Sequence, residues 1–124
     1  MRYMMLIYSR ESEAATAEEL EQVAARHRAL MEDTARRGIF RAADPLQPAA
    51  TATTLRVQDG KVMLTDGPFA ETKEQLAGYY ILDCEDLDEA LEWAARIPTA
   101  CQGKPGCVEV RPIREIRGPS AANG

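Results

Sequence analysis

Residues 65–84 read TDGPFAETKEQLAGYYILDC, and the rest of the chain is organised around them. The stretch opens on a turn, because Gly67 tolerates backbone angles that other residues avoid and Pro68 fixes its own φ and lacks an N–H group. Residues 71–75 are polar and cannot be buried without partners. Residues 78–82 are largely aromatic and aliphatic, which predicts a central strand. A turn, a polar loop and a buried strand in this order either present side chains to a cleft or simply connect two elements.

Composition and charge restrict the function classes. A chain of 124 residues is one domain by the usual size range. Its net charge of −5 argues against a nucleic-acid partner, which needs a basic surface. No run of about 18 apolar residues exists, so we predict no membrane span. The apolar run after Arg2 is too short for a signal peptide, which predicts a cytoplasmic protein.

Three cysteines, Cys84, Cys101 and Cys107, are an odd number. Without an export signal, this count favours free thiols over a disulfide framework. Cys101 and Cys107 have poor spacing for zinc, and His27 is the single histidine. We therefore predict neither a metal site nor a cofactor.

The first half of the chain predicts a strand followed by a helix. Residues 2–8 are apolar on both faces, which is typical of a central strand. Thr16 and Glu19 form a capping box that starts a helix, and Gly38 is a natural residue just past the end of that helix, near Arg37. The helix carries an apolar stripe, on which His27 also lies, formed by Leu20, Val23, Ala24, Leu30, Met31 and Ala35.

A β-hairpin is predicted in the middle of the chain. Asp59-Gly60 is typical of a type I′ turn and would join strands over residues 53–58 and 61–65. Apolar residues alternate with polar ones in both strands, so we expect one buried and one wet face. The residues predicted to be buried are Leu55, Val57, Val62 and Leu64.

The second half repeats the strand–helix order. Asp86 can cap a helix that buries Leu87, Ala90, Leu91, Ala94 and Ile97, and Pro98 ends it. Residues 108–113 alternate and form the last strand. This order predicts an α+β domain over residues 1–117, with an antiparallel sheet and both helices on one face. Residues 118–124 are predicted to be a disordered tail. The other sheet face would expose an apolar patch, which a sheet-to-sheet homodimer covers.

The segment DGPFAETKEQLAGYYILDC resembles the signature of the DGPF family, part of the YCII-related superfamily. The resemblance extends over nearly the whole chain, through MRYMMLIYS, TATTLRVQDGK, DLDEALEWAARIP and VEVRPI. It implies a small ferredoxin-like α+β domain that dimerises through its sheets. Members of the family are often encoded beside extracytoplasmic-function sigma factors, which makes a sigma factor a candidate partner. Some relatives in the superfamily are enzymes with a His/Asp pair in a cleft, including a dehydrochlorinase of chlorinated hydroxyquinols.

His27 is the first candidate for catalysis. Its unperturbed pKa of about 6.5 suits a general acid or base, and its place on the apolar stripe predicts that it faces the sheet. In the enzymatic relatives a histidine stands eleven residues before the glycine that closes this helix, and His27 has that spacing to Gly38. The structural alternative is a histidine at the edge of the core that a backbone carbonyl satisfies.

The carboxylate partner of His27 is not evident. Arg36 stands where the relatives often have an acidic residue. Asp33 is six residues from His27, roughly 240° around the helix, and does not face it. The remaining candidates are Asp66, which we assign to the catalytic group, and Asp44.

The second candidate site is the loop that begins at Asp66. It offers donors, acceptors and both charges, and aromatic rings on either side could stack on a small polar or aromatic ligand. The predicted ligand-binding residues are Phe69, Glu71, Thr72, Lys73 and Tyr79. In the structural alternative Asp66 caps the turn, and Glu71 and Lys73 are solvated.

Three functions remain open. The first is a small dimeric lyase-like enzyme that binds a small polar or aromatic metabolite, with His27 as acid/base and the Asp66 loop as lid. The second is a non-catalytic regulatory or interaction module that acts with a sigma factor. The third is a structural dimer in which the signature only maintains the fold.

Overall fold

The structure is a computed structural model that describes residues 1–11, 16–99, 106–116 and 118. Its helices are α1 (Ala17–Arg36) and α2 (Leu87–Ala94), with a short 3-10 turn over Ala49–Thr51. Its strands are β1 (Arg2–Ser9), β2 (Phe40–Pro45), β3 (Thr53–Gln58), β4 (Lys61–Asp66), β5 (Gln75–Asp83) and β6 (Gly106–Pro112).

Four strands form one antiparallel sheet in the order β2-β5-β1-β6. The two apolar strands, β1 and β5, are therefore central, as their sequences predict. Met5 pairs with Tyr80 and Tyr3 with Leu82, so these four side chains lie on the same face of the sheet. The α+β class with an antiparallel sheet and two helices is confirmed.

Both helices pack on that one face. Leu30 of α1 and Ala90 and Ala94 of α2 belong to the same buried cluster as Met5 and Leu82 of the sheet. Leu87 and Leu91 were predicted to be buried on α2, and that prediction is wrong because each is 48 % exposed. The residues of α2 that enter the core are the small Ala90 and Ala94 instead.

The helix ends confirm the predicted caps. The Thr16 hydroxyl accepts a hydrogen bond from the backbone N–H of Glu19 at 3.1 Å. At the other end of α1, Gly38 has a φ of +75°, a left-handed conformation that favours glycine. The Asp86 carboxylate accepts from the backbone N–H of Glu89 at 2.9 Å and starts α2. These caps set where α1 begins and ends relative to the sheet.

Residues 53–66 form a hairpin arm, β3 and β4, that makes a separate two-stranded sheet. The predicted turn is confirmed, since Asp59 and Gly60 both have positive φ, at 50° and 75°. The predicted buried face is wrong, because its four apolar side chains are 57 to 65 % exposed. The alternation correctly indicates a shared face, but nothing within the described residues covers it. Those side chains are Leu55, Val57, Val62 and Leu64.

Parts of the predictions lie outside the described residues. Residues 119–124 of the predicted tail and Cys101 are among them. Cys84 is a buried free thiol and Cys107 an exposed one. In the part of the chain that the structure describes, no helix is both long and apolar enough to cross a membrane.

Candidate functional site

A cavity of about 460 Å³ lies between α1 and the sheet. Its size is within the range of small-molecule sites in proteins. Its walls are mainly apolar, and the side chains that form them include Ile7, Leu20, Val23, Ala24, Met31 and Pro98. An apolar cavity of this size can take up a small aromatic or aliphatic molecule, provided that its few polar groups are matched.

His27 and Tyr80 form the central polar contact of the cavity, and both line it. The imidazole Nδ1 is 2.7 Å from the Tyr80 hydroxyl oxygen. The two rings are stacked, with centroids 5.8 Å apart and planes at 22°. Helix α1 supplies the half-buried histidine, and the central strand β5 supplies the buried tyrosine. This contact fixes the orientation of the imidazole.

Both rings are neutral near pH 7. Burial, with a smaller contribution from the Arg26 guanidinium, lowers the pKa of His27 below its ordinary value of 6.5. Burial also raises the pKa of Tyr80 to about 12. A neutral imidazole can donate one hydrogen bond and accept another, so the pair can bind a polar group or move a proton.

The structure places neither predicted carboxylate against His27. Asp44 lines the same cavity but accepts a hydrogen bond from the Tyr79 hydroxyl at 2.6 Å, which raises the pKa of Tyr79. Asp66 lies at the exposed end of β4 and does not line the cavity. Among the described residues, His27 hydrogen-bonds to Tyr80 alone. The imidazole is therefore oriented by a phenol and not by a carboxylate.

The loop after Asp66 lies apart from the cavity. The Phe69 side chain is 81 % exposed, and Glu71 is also exposed. Thr72 and Lys73 border a separate, open depression, and the Thr72 hydroxyl donates to the backbone carbonyl of Glu74. Of the predicted site residues, His27 and Tyr79 thus line the cavity, although Tyr79 pairs with Leu6 and its side chain lies on the sheet face away from the helices. A binding role for the four loop residues stays a prediction.

Sequence reasoning offered Tyr80 only as an alternative to Tyr79 for a wall of the ligand site, and it assigned no role to Gly78. Tyr80 and Leu82 share one face of β5, so the buried face of that strand could have been extended to Tyr80, and a buried tyrosine hydroxyl needs a partner. Gly78 lines the cavity where β5 passes β2. A Cβ atom there would be 2.8 Å from the Asp44 carbonyl oxygen, so the close pairing of the strands depends on glycine.

The polar rim of the cavity is largely engaged. Arg28 lines the cavity and forms an ion pair with Glu21 at 2.5 Å. Ser9 and Thr99 add hydroxyl groups. In the described ranges, no three His, Cys, Asp or Glu side chains are grouped as metal ligands would be. The imidazole is therefore a polar group of the cavity that has a fixed orientation and one nitrogen left to engage a bound molecule.

The lowered pKa of His27 predicts a pH dependence of stability. The unfolded chain takes up a proton near pH 6.5, whereas the folded protein resists it, so the free energy of unfolding falls as the pH drops below 6.5. The free energy of unfolding levels off once the pH is below the pKa of His27 in the folded protein. Urea unfolding between about pH 8 and pH 5 should show this loss in the wild type and not in His27→Gln.

Carboxylates provide the reference for that experiment. Hydrogen bonds from Arg96, the N-terminal amine and Arg2 lower the pKa values of Asp33, Asp83 and Glu115 respectively. Their stabilisation is lost only as the pH falls through those low values, well below the window of His27. Parallel wild-type and His27→Gln curves between about pH 8 and pH 5 would show that His27 titrates normally.

Comparison with known proteins gives the relationship of the chain. The YCII-related domain matches residues 1–117. An uncharacterized protein from Rhizobium meliloti (strain 1021) is 41 % identical over 115 residues, which cover 91 % of this chain and 92 % of the relative. The residues that match the domain include both the strand that holds Tyr80 and the helix that holds His27. The chain therefore belongs to the YCII-related family.

Proposed function

We propose that the protein binds a small aromatic or otherwise largely apolar metabolite in the cavity between α1 and the sheet. The observation that supports this most is the His27 imidazole on the wall of an apolar cavity, with one nitrogen fixed 2.7 Å from the Tyr80 hydroxyl. In the structural alternative, a backbone carbonyl satisfies a histidine at the edge of the core, and no such bond is formed among the described residues. Here, one nitrogen has no hydrogen-bond partner among the described residues.

An acid/base reaction of the lyase type is the enzymatic form of this proposal. His27 would be the proton-transferring group, and the loop from Asp66 would close over the bound molecule. Support for the lid comes from Phe69, whose exposed ring does not pack in the core. If a bound molecule is converted, His27→Ala should abolish its turnover, because no second side chain of neutral pKa lies in the cavity.

A fragment screen tests the proposal. Ligand-observed NMR with small aromatic fragments should give hits against the wild type, and in protein-observed spectra those hits should shift the ring signals of His27. Fragments that bind the wild type and shift only signals from the hairpin arm would contradict a site at His27. His27→Ala separates binding from turnover, since apolar contacts remain in that variant while the proton-transferring group is gone.

The second candidate function is an interaction module, and the hairpin arm favours it. Its four exposed apolar side chains form one continuous face, since Leu55 pairs with Leu64 and Val57 with Val62. An isolated two-stranded hairpin is marginally stable in water, so packing against another surface would stabilise it. The half-buried Met4, Leu6 and Ile81 lie on the sheet face away from the helices and are also apolar.

We propose that a second copy of the chain covers these surfaces in a homodimer with a ferredoxin-like sheet in each subunit. A sigma factor is the alternative partner. Membership of the DGPF branch belongs to this proposal, since residues 66–69 spell its name and the resemblance extends along the chain. A cytoplasmic location, which suits the free thiols of Cys84 and Cys107, also stays a prediction.

A charge on the apolar face of the arm is expected to break the dimer. Leu64→Lys puts an ammonium group into the proposed contact, whereas Thr65→Lys puts it on the opposite face of the same strand. Light scattering after gel filtration should give twice the 13.7 kDa chain mass for the wild type and Thr65→Lys. Leu64→Lys should give the monomer mass at the same concentration.

Leu64 and Thr65 are both exposed in the single chain, so neither change disturbs the core. A monomeric wild type would contradict the homodimer. A dimer that Leu64→Lys leaves intact would show that the arm lies outside the contact between subunits.

A further inference from the structure

We infer that Tyr80 holds His27 as the neutral tautomer with hydrogen on Nε2, and that the cavity therefore selects molecules with an oxygen acceptor. The acceptor is a carbonyl, carboxylate or phenolate oxygen placed at His27. The selection rests on the proposed function, because it presupposes a molecule in the cavity. The tautomer does not, since it follows from the protein alone.

The hydroxyl of Tyr80 decides the arrangement. Tyr80 is 2 % exposed, and its hydroxyl contacts Nδ1 of His27 as its single hydrogen-bond partner among the described residues. A phenol carries one proton that it must donate, and a buried donor without an acceptor is costly. The Tyr80 hydroxyl therefore donates to Nδ1.

The bond from Tyr80 determines which imidazole nitrogen carries the hydrogen. A neutral imidazole carries a single N–H, and a nitrogen that accepts a hydrogen bond is the one without hydrogen. Since Nδ1 accepts from Tyr80, the hydrogen is on Nε2. The opposite arrangement, with Nδ1–H donating to the phenol oxygen, would leave the Tyr80 proton without an acceptor in the described structure.

Protonation does not remove this preference near neutral pH. The imidazolium would carry hydrogens on both nitrogens, so Nδ1 could no longer accept from Tyr80. Burial and the nearby Arg26 already disfavour that charged form. Arg28, also on the cavity, is a further cation, although Glu21 pairs with it. The neutral form with Nε2–H is the one that a bound molecule meets.

A donor in a fixed position on the wall of a largely apolar cavity discriminates between ligands. A molecule with an oxygen at His27 pairs with Nε2–H, whereas a molecule of the same shape without one leaves that donor buried and unpaired. Sites built around a hydrogen bond reject analogues that lack it for this reason. Asp44 does not offset the preference, because it pairs with Tyr79 and not with Tyr80, so its carboxylate lies on the sheet face away from His27 and binds the Tyr79 hydroxyl.

The first experiment reads the tautomer directly. His27 is the single histidine, so untagged protein with nitrogen-15 in the imidazole gives one pair of ring signals. At about pH 8, where the ring is neutral, we expect a directly bonded hydrogen on Nε2 and none on Nδ1. Tyr80→Phe keeps the ring that fills the core and removes the donor, so it should give a mixture of tautomers. Hydrogen on Nδ1 in the wild type would overturn the inference.

The second experiment tests the selection with three probes of closely similar shape: acetonaphthone, isopropenylnaphthalene and 1-naphthylethylamine. The ketone should bind about tenfold more tightly than the hydrocarbon and the amine, and His27→Phe should remove this preference. Equal affinities would overturn the selection but leave the proposed function standing. Failure of all three to bind, with the Nε2 tautomer observed, would overturn both the selection and the proposed cavity site.

Discussion

Replacing Ala24 with phenylalanine should reduce the affinity of any cavity ligand by about a hundredfold, a change of about 3 kcal/mol in binding free energy. Ala24 is half-buried on α1 and lines the cavity beside His27. A benzyl group at this position would extend into the space of about 460 Å³ and occupy what a ligand needs. Because that space is empty of protein, the larger side chain is accommodated without displacing the core.

Ala25→Phe is the matched control. Ala25 follows Ala24 on the same helix but is exposed and does not line the cavity. Both variants should unfold at similar urea concentrations, while titration with acetonaphthone separates them. Equal affinity of Ala24→Phe and Ala25→Phe for the ketone would place its binding site elsewhere on the molecule.

Leu82→Ala should have the largest effect on stability. Leu82 is fully buried on the central strand β5 and is among the largest such side chains. Truncating a buried leucine typically costs about 2–5 kcal/mol, through lost transfer free energy and the void left behind. Against a total of about 5–15 kcal/mol for a small domain, this loss brings the protein close to unfolding at room temperature.

Leu91→Ala is the control for that change. It removes the same atoms from a side chain that is 48 % exposed on α2, so the loss in free energy of unfolding should be below about 1 kcal/mol. Urea unfolding followed by circular dichroism measures both variants. Similar midpoints for the two would contradict the core described for β5 and α2.

Local patterns in the sequence predicted the elements well, because the groups that define them are close along the chain. Thr16 and Glu19 are three residues apart, and so are Asp86 and Glu89, so each cap is complete within its own segment. The Asp59-Gly60 turn likewise needs only its own backbone angles. These features could be predicted because no distant residue takes part in them.

Whether another element packs on a given face of a strand could not be predicted in this way. Alternation in β3 and β4 shows which side chains share a face, but not whether another element packs on it. On β5 such an element is present, since α1 and α2 cover Tyr80 and Leu82. On the arm it is absent from the described chain. The same pattern therefore leads to a buried face in one strand and an exposed face in the other.

The site was only partly predictable, since its central contact joins distant residues. His27 was identified from its position on the helix and from the resemblance, but its partner Tyr80 is 53 residues away. Reasoning from catalytic chemistry favoured a carboxylate, so Asp44 and Asp66 were considered and a phenol was not. The alternation of β5 does place Tyr80 inward, and only the packing of α1 on the sheet brings the two rings together.

The most direct test of a ligand site at His27 is a crystal structure of the protein with acetonaphthone bound. The expected result is the ketone between α1 and the sheet, with its carbonyl oxygen within hydrogen-bond distance of Nε2 of His27 and the Tyr80 hydroxyl still on Nδ1. The ketone bound on the hairpin arm or in the loop after Asp66, with the cavity empty, would contradict that site.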